Sequence, residues 1–574
     1  MFSDAASSRP FVAIALGLVF SACSEHLTTP DTGLNQVQRG YQSPVDVPAV
    51  QVDLPPSPRP YDTDDSALVA ALRAQGGYAV IGFKLPGSPR TLEASGYRAA
   101  IPSAAIDEGL GLVRAQGVEI EYVYRSFGAV LGRIDPATAP DLRRNPLVDF
   151  IEPRHVMDPQ GNGSYAAPPS RESAPSLLAS AAQTTPWGIS MVRAPEAWSV
   201  NTGTAVKIGV IGEIVEGHED LPYVPCSNVG GRYASDCGTI FVGPQIPATF
   251  LAGIGFARNN TLGVVGVAPG LPGSNLYVWA ACSYQFVCYS DDITAGIDAL
   301  RWAGARVIQV GRFRLEYDLA EAVAVSQAWS AGIVVVAPAG INGGSAVTYP
   351  AALSTVLGVS GVLRDKTFAS SSPCVNSDGT SMRSNYGSHV DLAAPFFALS
   401  TVGQNAYQDE RQGWCGTHIA SAHVLGAAAL VRSQNPSWTN QQVVDRLLAT
   451  AQDRGTGGRD DFFGYGIVDA AYALGIAPPP PPPPPLSGVS ISGPTSVRPY
   501  DTCLWTAAPT GGTAPFTYSW YVNNLDLGVN SNEVTYTAGS VSFTLAVQVA
   551  DATGVTVTSS RTVSISSSAN ICAI

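Results

Sequence analysis

At 574 residues, and with about 150 residues to a typical domain, the chain has length for about three or four folded units. Its 45% hydrophobic and 13% charged residues supply apolar surface for a large core and exclude intrinsic disorder of the whole chain, which needs the opposite balance. Forty-five Asp and Glu against 32 Lys and Arg give a net charge of −13, so nucleic acid and other polyanions are not expected as partners.

Taken in chain order, residues 11–22 form one apolar run. It is shorter than the ~20 residues that span a bilayer and suits the core of a signal peptide, residues 1–22. The run ends in Phe20-Ser21-Ala22-Cys23, which resembles a bacterial lipobox. That resemblance implies a lipid on Cys23 as the sole membrane attachment; an ordinary secretory peptide with an incidental cysteine is the alternative. Residues 23–75 are polar and proline-rich, as in Leu54-Pro55-Pro56-Ser57-Pro58, and read as a disordered tether. Strand-like Tyr78–Phe83, helix-like Ala104–Gln116 and strand-like Val118–Tyr124 open a small α+β domain over residues 76–157. Phe127–Ile134, Pro140–Asn145 and Val148–Glu152 repeat the cycle.

A Ser, Ala and Pro-rich linker, residues 158–184, precedes a long region of alternating elements. Lys207–Ile211, Asn275–Ala280, Arg306–Val310, Gly332–Ala337 and Val356–Val362 are continuous apolar runs, separated by helix-like stretches such as Asp292–Ala303 and Leu319–Ser330. Such alternation predicts a parallel sheet with helices on both faces, the domain spanning residues 185–477. Eight consecutive prolines, Pro478–Pro485, predict a polyproline II spacer of ~25 Å. Beyond it, Phe516–Val522 and Val541–Val549 place apolar residues at alternate positions, as antiparallel strands with one buried face do. Residues 487–574 resemble an immunoglobulin-like or polycystic-kidney-disease-type β-sandwich.

Thr185-Pro186-Trp187-Gly188-Ile189, Val206–Ile211 with Gly217-His218-Glu219-Asp220-Leu221, and Gly263–Gly270 stand in one order with Tyr349-Pro350-Ala351 and Val390–Pro395. Gly416-Thr417, His423-Val424, Gly426–Leu430 and Gly464–Ala470 follow. Together these segments resemble the subtilisin-like serine peptidases from Thr185 to about Leu474, and Tyr78–Met157 resembles that family's inhibitory propeptide. The resemblance implies a subtilisin-like parallel sheet with helices on both faces. It also implies a triad of Asp ending the first strand, His opening one helix and Ser opening another, with an Asn in the oxyanion hole. Aligned by their flanks, those slots hold Gly212 for Asp, Pro247 for His, Ile341 for the oxyanion Asn and His418 for Ser. Gly212 and Ile341 neither orient an imidazole nor donate to an oxyanion, Pro247 accepts no proton, and His418 lacks the hydroxyl nucleophile.

The expectation is therefore a peptidase fold without peptidase activity, binding or scaffolding at the bacterial cell surface, with no cofactor and no metal. Its partners would be a peptide or protein ligand and its own propeptide-like domain, retained over the ancestral groove. The edge strand that pairs with peptide in the family reads Gln309-Val310-Gly311-Arg312-Phe313; backbone pairing there depends little on side chains. Two rivals stand beside this reading. A rebuilt hydrolase would draw on Glu213, Asn342 and Ser421, although a one-residue shift in a strand turns a side chain to the opposite face. Alternatively the C-terminal sandwich carries the function as an adhesion module. A metal held by His418 with Glu213 or Glu216 lacks the three or four convergent ligands required. The other histidines, His26, His155, His218, His389 and His423, fall where the family carries structural or variable residues.

Setting Cys23 aside leaves eight of the nine cysteines, an even number that suits an exported, disulfide-bonded chain. Neighbours in sequence suggest Cys226 with Cys237 and Cys282 with Cys288; Cys374 with Cys415 and Cys503 with Cys572 follow.

Overall fold

A computed structural model describes residues 59–84, 103–157, 182–212, 217–231, 247–282, 288–372, 374, 381–403, 405–408, 415–477, 484–569 and 572. They form two compact units, before and after the proline run.

The first unit begins with an antiparallel sheet of β1 (Tyr78–Phe83), β2 (Glu119–Tyr124), β3 (Ala129–Arg133) and β4 (Val148–Pro153), in the order β2-β3-β1-β4. Helices α1 (Asp65–Ala74), α2 (Ser103–Ala115) and α3 (Ala139–Arg144) cover one face, where Leu68, Leu72, Ile81, Phe83 and Leu110 share a core. The tether expected over residues 23–75 is thereby corrected at its C-terminal end. The Asp64 carboxylate accepts hydrogen bonds from the Ser66 and Ala67 amides, and Leu68 and Leu72, one helical turn apart, bury on the sheet. A capping residue followed by apolar side chains at i, i+4 was the signal for this helix.

A seven-stranded sheet follows: β5 (Ile208–Gly212), β6 (Val229–Gly230), β7 (Leu276–Ala280), β8 (Val307–Val310), β9 (Val334–Pro338), β10 (Val356–Val362) and β11 (Leu392–Pro395). Its order is β11-β10-β9-β8-β5-β7-β6 and every pairing is parallel. Helices α4 (Pro247–Phe256), α7 (Thr417–Gln434) and α8 (Asn440–Ala449) contribute to the core on one face; α5 (Ser290–Trp302) and α6 (Leu319–Ser330) contribute to that on the other. Burial on both faces explains the apolar runs, since β5, β8, β9, β10 and β11 are buried at every position. A short hairpin, β12 (Ser400–Val402) and β13 (Ala406–Gln408), backs α4, whose Thr249 and Phe250 carbonyls accept from the Thr401 and Ser400 hydroxyls.

The second unit packs two sheets. One is β14 (Gly488–Ser492), β16 (Thr502–Thr510) and β19 (Glu533–Thr537). The other has β15 (Ser496–Val497), β17 (Thr517–Val522), β18 (Leu525–Asp526), β20 (Phe543–Ala550) and β21 (Thr556–Ile565). Trp505, Trp520, Leu545 and Val547 are fully buried in their shared core. The indoles satisfy their N–H groups on the Pro494 and Ser531 carbonyls. This is a β-sandwich. Among the described residues no helix is long and apolar enough to cross a membrane.

Candidate functional site

In an open parallel sheet a crevice forms beyond the carboxyl ends of the strands, where the following helices begin. The four slots read from the sequence lie at that edge. Gly212 is the last residue of β5, Pro247 the first of α4, Ile341 follows β9 by three residues, and His418 is the second residue of α7. The Gly212 carbonyl accepts from the Ala281 and Cys282 amides at 2.8 and 3.2 Å. No described atom lies within 4 Å of where a Cβ would stand on it. Proline at the first turn of α4 leaves no intrahelical donor unmet.

His418 is 7% exposed. Its ring and Ile341 both crowd Gly416, which holds a φ of 145° open only to glycine. Burial, with the Arg312 charge beside it, lowers the imidazole to about 3, so the ring is neutral at ordinary pH. The turn behind it is fixed from two sides. The Thr417 hydroxyl accepts from the Gly340 amide and donates to the Gly340 carbonyl. Cys374 and Cys415 form a disulfide next to it. Ser421 lies one turn further along α7, fully buried, its hydroxyl accepting from Gln309 Nε2 at 2.7 Å and donating to the His418 carbonyl at 2.8 Å. The Asn342 amide donates to Asn385 Oδ1. Glu213 and Glu216 lie outside the described residues.

The other described histidines are held by backbone partners or lie elsewhere. Nε2 of His218 bonds the Ala406 carbonyl, Nε2 of His389 the Ala339 carbonyl, and Nδ1 of His423 the Ile419 carbonyl. Burial lowers all three, His423 to about 4. His155 sits where the small sheet meets the larger domain.

Sequence reasoning expected the propeptide-like domain over the groove but named none of the residues that make this junction. Val156 bridges Tyr289 in antiparallel fashion, the Met157 amide donates to the Cys288 carbonyl at 2.9 Å, and the Ser290 amide donates to the His155 carbonyl at 2.9 Å. Residues 155–157 thus run as an added strand along residues 288–290, which the Cys282–Cys288 disulfide ties to the end of β7. Met157 is buried with its sulfur 3.4 Å from Nη1 of Arg314, whose other terminus donates to Glu321 at 2.7 Å. Behind the strand, Arg154 pairs with Asp291, and Tyr122 and Ser126 donate to Asp298. Burial raises the Asp298 carboxyl, and the Ser126 hydroxyl works against that rise.

Glu152, His155 and Asp318 bring one ligand atom each within 4.8 Å of one another. They do not suit a metal. Nη1 of Arg59 lies 2.8 and 2.7 Å from the two Glu152 oxygens, and the Tyr61 hydroxyl and the Leu319 amide donate to the same carboxylate. Burial opposes the charge on His155, but the Glu152 hydrogen bond and Asp318 outweigh it and raise the imidazole. The cluster is a closed set of ion pairs.

Three of the four expected cysteine pairs are disulfides, Cys282–Cys288, Cys374–Cys415 and Cys503–Cys572. Cys237, the expected partner of Cys226, lies outside the described residues, as does Cys23.

Residues 248–466 match the subtilase family. Subtilisin Savinase of Lederbergia lenta is 33% identical over 305 residues, 51% of this chain and 99% of that protein. Alkaline elastase YaB of Bacillus sp. (strain YaB) is 30% identical over 372 residues, 63% and 83% of the two chains. Minor extracellular protease Epr of Bacillus subtilis (strain 168) is 27% identical over 371 residues, 62% and 52% of the two. With the parallel sheet, the ordered motifs and these relatives in agreement, the chain belongs to the subtilase family of subtilisin-like serine peptidases.

Proposed function

We propose that this subtilase is a pseudo-peptidase: an exported, lipid-anchored protein of the bacterial cell envelope that binds or scaffolds rather than cleaves. The observation that carries the reading is His418. At the position where the family's nucleophile opens its helix stands a buried imidazole, with no hydroxyl to attack a carbonyl. Ser421 does not substitute for it, because its proton is given to the His418 carbonyl and its hydroxyl is enclosed. Losing the Ser or the His of such a triad costs about a million-fold in kcat. Without a working nucleophile the chain does not cut itself, so the propeptide-like domain stays attached. Its strand 155–157 lies along residues 288–290 rather than along 309–313, the segment expected to pair with peptide, whose Gln309 and Val310 belong to the interior strand β8. Export, lipidation of Cys23 and the immunoglobulin-like character of the sandwich belong to the same proposal.

The test is labelling of the purified full chain with a fluorophosphonate probe, together with its intact mass. We expect no covalent capture and a mass that retains the residues before Ala182. Capture lost on Ser421→Ala and kept on His418→Ala, or a chain that begins near Ala182 after expression alone, would sink the proposal.

A further inference from the structure

Arg59 belongs to neither the small sheet nor the larger domain, yet it touches both. Its Nη1 donates to both oxygens of Glu152 at the end of β4 and to the Tyr317 carbonyl, at 3.3 Å, just before α6. Asp62, one turn along the same segment, holds the rest of the guanidinium: Oδ1 accepts from Nη2 at 2.8 Å and Oδ2 from Nε at 3.1 Å. The guanidinium carbon lies 4.6 Å from the Tyr61 ring centre and 5.5 Å from that of Tyr317. Glu152 is 1% exposed and in turn bonds Nε2 of His155 at 3.0 Å and the Leu319 amide at 3.2 Å. His155 carries the backbone that pairs with Ser290. A short chain of contacts therefore runs from Arg59 through Glu152 and His155 to the strand in the cleft.

We propose that Arg59 is the bolt of an intramolecular latch that holds residues 155–157 in the cleft and keeps other extended peptides out. Without it the buried Glu152 carboxylate, which sits beside Asp318, loses the guanidinium that bonds both its oxygens and keeps only His155, the Tyr61 hydroxyl and the Leu319 amide. A buried ion pair that loses one partner is relieved by opening. The latch rests on the binding reading above for its role, and on its own contacts for its existence. What regulates access in this chain is then a residue of the N-terminal segment rather than a catalytic cut.

The experiment uses the full chain, its Arg59→Ala and Arg59→Lys variants, and a fluorescein-labelled synthetic peptide copying residues 150–157. In Arg59→Ala, hydrogen exchange at the Met157 and Ser290 amides should quicken by about tenfold or more, while the Val335 and Val336 amides of β9 keep their protection, and the peptide should bind saturably. Wild type should not bind it, and Arg59→Lys should fall between. Unchanged exchange at Met157 and Ser290, a rise shared equally by β9, or faster local exchange without peptide binding would each overturn the latch. Cleavage of the peptide by Arg59→Ala would support the latch and refute the pseudo-peptidase reading, so the two fail separately.

Discussion

Arg154 and Asp291 form an ion pair at 2.7 Å that is shut off from water, 6% and 0% exposed, between the small sheet and helix α5 of the larger domain. Arg154 is also stacked between the rings of Tyr78 and Tyr289, 3.7 and 4.2 Å from their centres. Removing one partner strands the other. Asp291→Ala should destabilise the first unit by about 3–5 kcal/mol, whereas replacing both partners with apolar residues of similar volume should recover most of that loss. Urea denaturation of the three variants measures it.

His418 should be silent in a proton titration. Its imidazole is lowered to about 3 from 6.5, by burial first and by Arg312 second. Between those values the unfolded chain binds a proton that the folded one refuses, so stability rises with pH across the window and is lost as the solution is acidified. At pH 5 this one group costs about 2 kcal/mol. His418→Gln should flatten the acid limb of the stability curve, and the His418 ring proton should not move in an NMR titration from about pH 5 to 8. A midpoint near 6.5 would show a wet, mobile ring.

Restoring the family's reagents one at a time should fail, because nucleophile, base and oxyanion donor act as a unit. His418→Ser alone is expected to give no fluorophosphonate capture. The fourfold variant Gly212→Asp, Pro247→His, Ile341→Asn and His418→Ser should be captured. The edge can receive the first of these, since no described atom stands within 4 Å of a Cβ on Gly212.

Cys503 and Cys572 join the first long strand of the sandwich to its C-terminal end across 69 residues. Closing a loop of that length stabilises by about 4 kcal/mol in the chain-entropy account. In calorimetry of the full chain, Cys503→Ser with Cys572→Ser should lower the melting of the second unit by roughly 15–30 °C, at about 4–8 °C per kcal/mol for a domain of this size, and leave that of the first in place.

The parallel sheet was legible because doubly buried strands admit only apolar side chains, so β10 coincides with its predicted run, Val356–Val362. The start of α7 was legible for a related reason: Gly416-Thr417 and Gly426–Leu430 fix its register, which puts His418 in its first turn. The junction was not legible. Asp291, Asp292 and Asp298 on α5 are 1%, 4% and 1% exposed, yet on a helix they read as a solvated stripe. The partners of Asp291 and Asp298, namely Arg154, Tyr122 and Ser126, come from a separate domain more than a hundred residues away. Periodicity reports which face of a helix is polar, and says nothing of a sheet that will be laid against it.

The apolar face of the small sheet shares one core with α5 and α6: Val80, Tyr122, Phe127 and Leu131 interleave with Ile293, Leu319 and Val323. Were the small sheet stripped away, those helices would turn an oily flank to the solvent. A mature form lacking the first domain would be sticky and prone to self-association, so the cell should encounter this molecule whole or see it degraded.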